Sequence, residues 1–231
     1  MQIIIENLSY TYPDGQIALS DVSLSVSKGE RIAFVGANGA GKSTLLLHLN
    51  GILRGPGKIL VDGVQLSEKT LPSIRRKVGI IFQDPNDQLF CPTVESDVAF
   101  GPEHFGFEHE KIHAIVDESL DKVDMKRAAH RAAHHLSLGE RRRVSIAAVL
   151  ACEPDILVFD EPAAMLDPKR RREMASFIRE TDKTVLIATH DPEFALNTTA
   201  RCILMDGGKI VADGPSKEIM GNCELLSKHG L

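Results

Sequence analysis

Apolar and polar positions follow two different patterns along the chain, and the first is the alternation of a β-strand. Residues 2–9 alternate enough to form a strand, and residues 22–26 alternate apolar side chains with serines, which is typical of a half-buried strand. Turn residues at 13–15 and 28–29 follow these two segments. The N-terminal part is therefore expected to form an antiparallel β subdomain.

Unbroken apolar runs and helical periodicity describe the rest of the chain. Buried or short strands are expected at residues 32–35, 58–62, 78–82, 156–159, 183–188, 202–205 and 209–212. From residue 84 to about 150 helical spacing takes over, as in Ile112, Val116 and Leu120. The pattern predicts an α/β fold of one domain, residues 1–231, whose core (1–83 and 151–231) carries an inserted helical subdomain (84–150), with a helical tail after Pro215.

Composition narrows the class of partners. The 27 Lys and Arg against 32 Asp and Glu give a net charge of −5, which does not favour a nucleic-acid partner. The run Arg141–Arg143 is short and is expected to be a solvated helix face. Four widely spaced cysteines form no C-x-x-C pair, which indicates reduced thiols. No apolar run reaches about 18 residues and no signal peptide begins at Met1, so any membrane attachment is expected to depend on another chain.

A glycine-rich loop with the pattern G-x-x-x-x-G-K-S lies between the strand at 32–35 and a leucine-rich helix. Gly36, Gly39 and Gly41 are expected to adopt backbone angles that side chains would block, so that consecutive N–H groups converge on a polyphosphate. Lys42 adds a mobile positive charge, and Ser43 offers a hydroxyl to Mg²⁺. The alternative is a glycine turn in an unrelated α/β protein. The expected nucleoside triphosphate contacts are Gly36, Ala37, Asn38, Gly39, Ala40, Gly41, Lys42, Ser43 and Thr44.

Polar side chains stand at the ends of three further core strands, where ligands bind in α/β sheets. Asp160 is a candidate ligand of Mg²⁺, and Glu161 a candidate for positioning or deprotonating the attacking water. Gln83 is a candidate to sense Mg²⁺ or that water, with an ordinary loop glutamine as the alternative. His190 is expected to contact the γ-phosphate, with a structural histidine as the alternative.

Two helix starts and one aromatic residue complete the candidate site. Ser137 and Glu140 have the spacing of a capping box, whose exposed N–H groups form an anion site. Asp167 resembles an N-cap before Pro168. Tyr12 is favoured over Tyr10 for stacking on a nucleotide base, although core packing explains either residue nearly as well.

The segment after Gln83 and a group of histidines leave alternatives open. Phe90, Phe100, Phe105 and Phe107 lie among turn residues, which suits a docking surface, although core packing explains most single phenylalanines. Two histidine pairs, at 109/113 and 130/134, have helical spacing that can bind a transition metal. No third ligand completes a recognisable site, and a solvated helix surface is favoured.

Six features occur in one order along the chain: GANGAGKS, Gln83, LSLGE, ILVFDEP, AMLDP and His190. This set resembles the ATP-binding subunit of an ATP-binding cassette (ABC) transporter over essentially the whole chain. The phrases FQDPNDQLF and SDVAFGPEHFG look more narrowly like the energy-coupling-factor and cobalt/nickel importer ATPases. The resemblance implies an ATPase that uses ATP and Mg²⁺ to power an importer of cobalt, nickel or a vitamin.

The resemblance also implies partners. Two such subunits sandwich two ATP molecules, and Ser137, Gly139 and Glu140 belong to the signature that completes the partner's site. Asp167 would lie in the interface loop between subunits. The groove beside Gln83 would receive a helix of a membrane subunit, which would hold the chain peripherally at the cytoplasmic face of the membrane. Whether the second ATP-binding subunit is identical or a paralogue stays open, as does the solute.

The chain departs from the family pattern at two motifs. Leu138 stands where the signature usually has its first glycine, and Glu140 where it usually has glutamine, whereas Gly139 keeps the second glycine. Ala164 and Met165 occupy the interface loop where many relatives have small residues. Every expected catalytic position is retained.

Four alternative functions share some of these motifs. ATPases of chromosome maintenance or DNA repair insert a long coiled coil before the signature, but Leu136 follows Gln83 by only 53 residues, without sustained heptads. A P-loop kinase for a small metabolite would need neither the LSLGE helix start nor His190. A module that binds ATP without hydrolysing it would not need Glu161 and His190, and an ABC-type ATPase in a soluble, non-transport complex is the remaining alternative.

Overall fold

A computed structural model describes residues 1–231 and contains ten strands and nine α-helices. The strands β1 to β10 are Ile3–Thr11, Ile17–Val26, Arg31–Val35, Lys58–Val61, Val64–Gln65, Val78–Ile81, Ile156–Asp160, Thr184–Thr189, Arg201–Asp206 and Lys209–Pro215. The helices α1 to α9 are Lys42–His48, Leu71–Lys77, Val94–His104, His109–Lys122, Leu138–Leu150, Pro168–Glu180, Pro192–Thr198, Ser216–Gly221 and Cys223–Lys228. None of these helices has the length and apolar character that crossing a bilayer requires.

The chain divides into two compact units. The first combines Met1–Val78 with Ile156–Leu231, and the second is Gly79–Asp155. The sequence-based boundaries of the inserted part, 84–150, are narrower at both ends. One reason is that Gly79 packs within the second unit, where a Cβ at this position would lie only 2.3 Å from Val149 and 3.1 Å from Pro154.

The predicted antiparallel β subdomain is confirmed as a sheet in the order β2-β1-β4-β5. Strand β1 lies between β2 and β4, and Ile3 is opposite both Val26 and Val61. The β1–β2 ladder passes through three register shifts between Ile5 and Thr11. Pairing continues past these shifts, so β1 ends at Thr11 instead of residue 9 and β2 begins at Ile17 instead of residue 22.

The core sheet of the first unit contains β10, β9, β3, β8 and β7, in that order. Strand β3 pairs in parallel with β8 and β9, and β7 pairs in parallel with β8. All of Ile32–Val35 and all of Thr184–Thr189 are buried, as expected for strands of a parallel sheet covered on both faces. The carboxyl ends of β3, β7 and β8 therefore meet at one edge, which is where ligands bind in such sheets.

The second unit is helical apart from β6, in agreement with the predicted helical subdomain. The helices α3, α4 and α5 pack around a core that includes Val98, Val116, Leu120 and Val144. Helix α4 has the predicted apolar face, with Ile112 buried beside the residues just named. A short 3₁₀ turn at Pro85–Asp87 lies between β6 and α3, and two more, at Lys126–Ala128 and Ala133–His135, lie between α4 and α5.

Candidate functional site

The phosphate loop follows β3 and leads directly into α1, the context that was predicted. Gly41, immediately before α1, has a φ of +98°, and a Cβ there would lie 2.4 Å from the carbonyl oxygen of Ala18. Gly36 was expected to supply an unusual backbone angle, but its φ is not in the left-handed region. It is needed for space instead, because a Cβ at Gly36 would lie 2.2 Å from the carbonyl oxygen of Met205.

Lys42 is held inside the phosphate loop. Its Nζ donates to the carbonyl oxygens of Gly36 at 2.7 Å and Ala37 at 3.0 Å, and the side chain is 6% exposed. Burial lowers the pKa of Lys42, whereas the charges of Glu161 and Asp160 act in the opposite direction. The ammonium group is therefore fixed where it can exchange carbonyl contacts for the oxygens of a phosphate.

Ser43 and Asp160 meet at the end of the core sheet. The Ser43 hydroxyl donates to Oδ1 of Asp160 at 2.9 Å, which joins α1 to β7. Burial raises the pKa of Asp160, although the hydrogen bond from Ser43 opposes this effect. Two oxygen ligands, one of them a carboxylate, suit the preference of Mg²⁺, so these residues fit the predicted metal contacts.

Glu161 and His190 form a pair at the ends of β7 and β8. Oε1 of Glu161 accepts from the backbone N–H of His190 at 3.0 Å and lies 2.8 Å from its Nδ1. Oε2 accepts from the hydroxyl of Thr189 at 3.2 Å. Glu161 is 7% exposed and has a φ of +47°, a left-handed conformation that is uncommon for glutamate. The hydrogen bonds of the carboxylate to residues at the end of β8 accompany this unusual backbone conformation, and such conformations often occur at functional sites.

Nδ1 of His190 faces a carboxylate, which only accepts, so we infer that Nδ1 carries the proton. The His190 side chain is 56% exposed. An open cleft of about 300 Å³ lies beside this ring and is lined by Ala37, Asn38, His190, Pro192, Gly230 and Leu231. The phosphate loop and His190 thus border one cleft in the first unit.

Sequence reasoning missed two residues that fix the segment around His190. Arg171 of α6 forms a bidentate ion pair with Asp191, at 2.6 Å and 3.0 Å. Asp191 in turn caps α7 by accepting from the N–H of Phe194. The Thr189 hydroxyl bonds Glu161 and also accepts from the N–H of Asp191. Arg171 and Thr189 belong to no short motif, so only the fold brings them to this site.

Tyr12 lies close to the phosphate loop. Its hydroxyl is 2.9 Å from that of Thr44, the second residue after Lys42. The rings of Tyr10 and Tyr12 meet edge to face, with centroids 5.1 Å apart, and both side chains are half-buried. Tyr12 therefore adjoins the loop that is expected to hold the phosphates.

The second unit contains the predicted capping box at the start of α5. The hydroxyl of Ser137 accepts from the N–H of Glu140 at 3.3 Å, while the Glu140 carboxylate accepts from the N–H of Ser137 at 2.8 Å. The hydrogen bonds from Ser137 lower the pKa of Glu140. Ser137 is exposed, and a Cβ at Gly139 would meet no atom within 4 Å. An external group therefore has room to approach this helix start.

The arginines of α5 correct one expectation. Arg141–Arg143 was interpreted as a solvated helix face, but Arg142 is buried and donates to the carbonyl oxygen of Gln83 at 2.7 Å. Arg141 and Arg143 donate to the carbonyl oxygens of Leu136 and Val123. The interpretation as a solvated face was wrong, because these side chains satisfy backbone carbonyls within the second unit. Gln83 itself is exposed.

Comparison with known proteins decides the family. The model of the ABC transporter family matches residues 19–164, more than half of the chain. The chain belongs to the ABC transporter family. It is similar to the energy-coupling factor transporter ATP-binding protein EcfA of Methanothermobacter thermautotrophicus, with 45% identity over 99% of this chain and 76% of that protein.

Solved structures give the same assignment. The structure of cbiO1 from Clostridium perfringens, described as part of the ABC transporter complex cbiONQ, has a TM-score of 0.85 and 35% identity, over 98% of this chain and 93% of that chain. A dimeric post-hydrolysis structure of the ATP-binding cassette MJ0796 with ADP and Pi has a TM-score of 0.83 and 27% identity, over 93% and 98%. The protein described here is therefore an ABC-type ATPase, the ATP-binding subunit of a transporter.

For this ABC ATPase, the first unit brings together five of the predicted site residues: Lys42, Ser43, Asp160, Glu161 and His190. Asp167, also in the first unit, caps α6 through the N–H groups of Lys169 and Arg170, as its N-cap prediction required. Gln83, Ser137, Gly139 and Glu140 lie in the second unit. Their roles toward a nucleotide are part of the proposal below.

Proposed function

We propose that this chain binds MgATP at the phosphate loop and hydrolyses it with Glu161 as the residue that activates water. The observation that carries this proposal is the hydrogen bond between Ser43 and Asp160, at 2.9 Å, next to the pair formed by the buried Glu161 and the exposed His190. In the proposal, the backbone and side chains of residues 36–44 hold the phosphates, and Lys42 contacts the outer ones. Tyr12 stacks on the adenine base.

Ser43, Asp160 and Gln83 would hold Mg²⁺, which supplies charge neutralisation for the outer phosphates when it is bound. Glu161 accepts a proton from the attacking water or orients it. His190, with Nδ1 bonded to Glu161, presents Nε2 toward the γ-phosphate and senses its presence. The buried position of Glu161 favours this role, since its hydrogen bonds to His190 and Thr189 fix the orientation of the carboxylate.

The experiment that tests the nucleotide site is the substitution Lys42→Ala. It removes a charge-assisted contact worth about 1.5–3 kcal/mol, so the affinity for MgATP is expected to fall about tenfold or more. Titration calorimetry measures this change. Lys58→Ala is the matched control, because Lys58 is a half-buried lysine outside the phosphate loop, paired with Glu6 at 3.3 Å. Equal affinities of the parent and Lys42→Ala would remove the assignment of the phosphate loop.

We further propose that two such subunits, identical or paralogous, enclose ATP between them. In this arrangement Ser137, Gly139 and Glu140 of one subunit complete the nucleotide site of the other, and Asp167 lies in the loop between the subunits. The open space at Gly139 and the exposed N-cap at Ser137 support the proposal, because a phosphate can approach both. The dimeric cassette among the similar structures also supports it.

The transporter class proposed for the chain is an energy-coupling-factor importer of cobalt, nickel or a vitamin. The similarity to EcfA and to cbiO1 supports this class. The chain would work peripherally at the cytoplasmic face of the membrane, held by integral membrane subunits that contact the segment after Gln83. Two exposed phenylalanines in contact, Phe90 at 67% and Phe100 at 47% exposure, offer an apolar surface there.

Charge substitutions test the docking segment. Phe90→Asp and Phe100→Asp are expected to release the subunit from its membrane complex, because burying an unpaired carboxylate in an interface is costly. The measurement is the amount of subunit that co-purifies with the detergent-solubilised membrane partners. Val64→Asp is the control, since Val64 is another exposed apolar residue but belongs to β5 of the first unit. Full retention of both phenylalanine variants would count against this docking site.

A further inference from the structure

Four side chains of the first unit form a closed set, which we call the aromatic circuit: Tyr10, Tyr12, Thr44 and His48. The hydroxyl of Tyr12 is 2.9 Å from that of Thr44, and the Tyr12 ring meets Tyr10 edge to face. The Tyr10 ring meets the imidazole of His48 at a centroid distance of 4.9 Å and an angle of 75°. Nδ1 of His48 lies 2.7 Å from the carbonyl oxygen of Thr44, and this contact completes the set.

The state of His48 follows from its contacts. A carbonyl oxygen only accepts, so Nδ1 of His48 carries the proton that bonds Thr44. Nε2 is buried without a hydrogen-bond partner, and the side chain is 1% exposed. Burial lowers the pKa of His48, which favours the neutral ring. His48 is thus a fixed, uncharged ring whose main contacts are aromatic and with its own helix.

The aromatic circuit connects β1 to the helix that follows the phosphate loop. Thr44 and His48 are four residues apart on α1, the helix that begins at Lys42, and Ser43 lies directly before Thr44. Tyr10 and Tyr12 come from the end of β1 and the residue after it. Gly55 confines the Tyr10 ring further, since a Cβ at Gly55 would lie 3.3 Å from its Cδ2. The position of the Tyr12 ring relative to the phosphate loop therefore depends in part on Tyr10 and His48, which are not among the expected phosphate contacts.

We propose that Tyr10 and His48 are positioning residues that hold Tyr12 at the correct distance from the phosphate loop for stacking on the base of the nucleotide. The inference rests on the base contact assigned to Tyr12 in the proposed function. Edge-to-face aromatic contacts restrict the orientation of a ring as well as its place. A half-buried tyrosine without these contacts would have to lose rotamer freedom on binding, and this loss would weaken the affinity for the base.

The test separates base binding from phosphate binding. Calorimetry on the full chain compares MgATP with magnesium tripolyphosphate, which has the phosphates but no base. Tyr12→Ala is expected to weaken MgATP binding about tenfold, or about 1.4 kcal/mol, and to leave tripolyphosphate binding unchanged. Tyr10→Leu and His48→Leu are expected to weaken MgATP binding about threefold to tenfold, again without an effect on tripolyphosphate.

Two controls separate positioning from general damage. Tyr10→Phe keeps the ring and is expected to retain the parent affinity for MgATP. Ile59→Ala removes a buried side chain from the same sheet, outside the aromatic circuit, and is expected to leave the ratio of the two affinities unchanged. Because that ratio is measured within one protein sample, a loss of folded protein does not alter it.

Three results would overturn the inference. Parent-like MgATP affinity in both Tyr10→Leu and His48→Leu would show that Tyr12 binds the base equally well without its contacts to these two residues. Equal losses of MgATP and tripolyphosphate affinity in both variants would show that the aromatic circuit only stabilises the phosphate loop. If Tyr12→Ala leaves MgATP affinity unchanged, the base contact fails and the inference with it, while the Lys42→Ala result still decides the phosphate site separately.

Discussion

Replacing Glu161 by glutamine is expected to slow ATP hydrolysis by about 10²- to 10⁴-fold, the usual contribution of a positioned general base. Glutamine keeps the size of glutamate and one acceptor oxygen for the N–H and Nδ1 of His190. Its amide can donate to the Thr189 hydroxyl, which now donates to Oε2. The local structure is therefore preserved, and the lost property is the ability to accept a proton.

Phosphate release measures the hydrolysis rate, and titration with MgATP confirms that the variant still binds nucleotide. Glu173→Gln is the matched control, because Glu173 is a carboxylate on the surface of α6 that pairs with Arg170. This control is expected to hydrolyse ATP at the parent rate. Parent-like turnover by Glu161→Gln would assign the proton acceptor to another group.

Ser137→Arg is expected to abolish hydrolysis while leaving the affinity of the isolated chain for MgATP nearly unchanged. In the proposed dimer Ser137 faces the nucleotide of the other subunit, so a long charged side chain there prevents the two subunits from closing. The phosphate loop of the same chain, which carries the binding, lies in the other unit. The steady-state hydrolysis rate and the calorimetric affinity together separate these two effects.

The loss of a helix cap is a competing explanation, since it costs about 0.5–2 kcal/mol. Asn222→Arg controls for this effect, because Asn222 is also an exposed N-cap and accepts from the N–H of Leu225 at 3.0 Å. It is expected to hydrolyse ATP normally. Loss of MgATP binding in Ser137→Arg, or full hydrolysis by it, would contradict the action of the signature on a partner subunit.

Leu138, the departure from the usual signature, gives a separate prediction. Its side chain is 37% exposed at the first residue of α5. If it faces away from the partner's nucleotide, Leu138→Gly changes the hydrolysis rate only modestly. A large gain in hydrolysis would show instead that the leucine obstructs closure and that the natural subunit is impaired.

The parts of the site that depend on neighbouring residues were predictable from the sequence. The phosphate loop follows from the spacing of its glycines between a strand and a helix. The capping box of Ser137 and Glu140, and the Asp167 cap before Pro168, follow from spacings of three residues or fewer. The two partners of such a hydrogen bond lie within one helical turn of each other, so the spacing of the residues in the sequence is enough to predict it.

The parts that depend on distant residues were not predictable. Arg171 reaches Asp191 across 20 positions, and Tyr12 reaches Thr44 across 32. Helix α2, Leu71–Lys77, was also missed, because its seven residues bury only Leu71 and Ile74 and show no clear periodicity. Gly36 was predicted as a loop glycine for its backbone angle, whereas the approach of Met205 is the reason that the fold requires it.

The central claim is that the phosphate loop holds ATP while Glu161 cleaves it, and one measurement tests both parts. Glu161→Gln is incubated with MgATP and passed through a desalting column, and the nucleotide that stays on the protein is identified by chromatography. The account predicts unhydrolysed ATP at about one per chain, and none on the double variant Lys42→Ala/Glu161→Gln. Recovery of ADP from Glu161→Gln, or equal retention of ATP by the double variant, would contradict it.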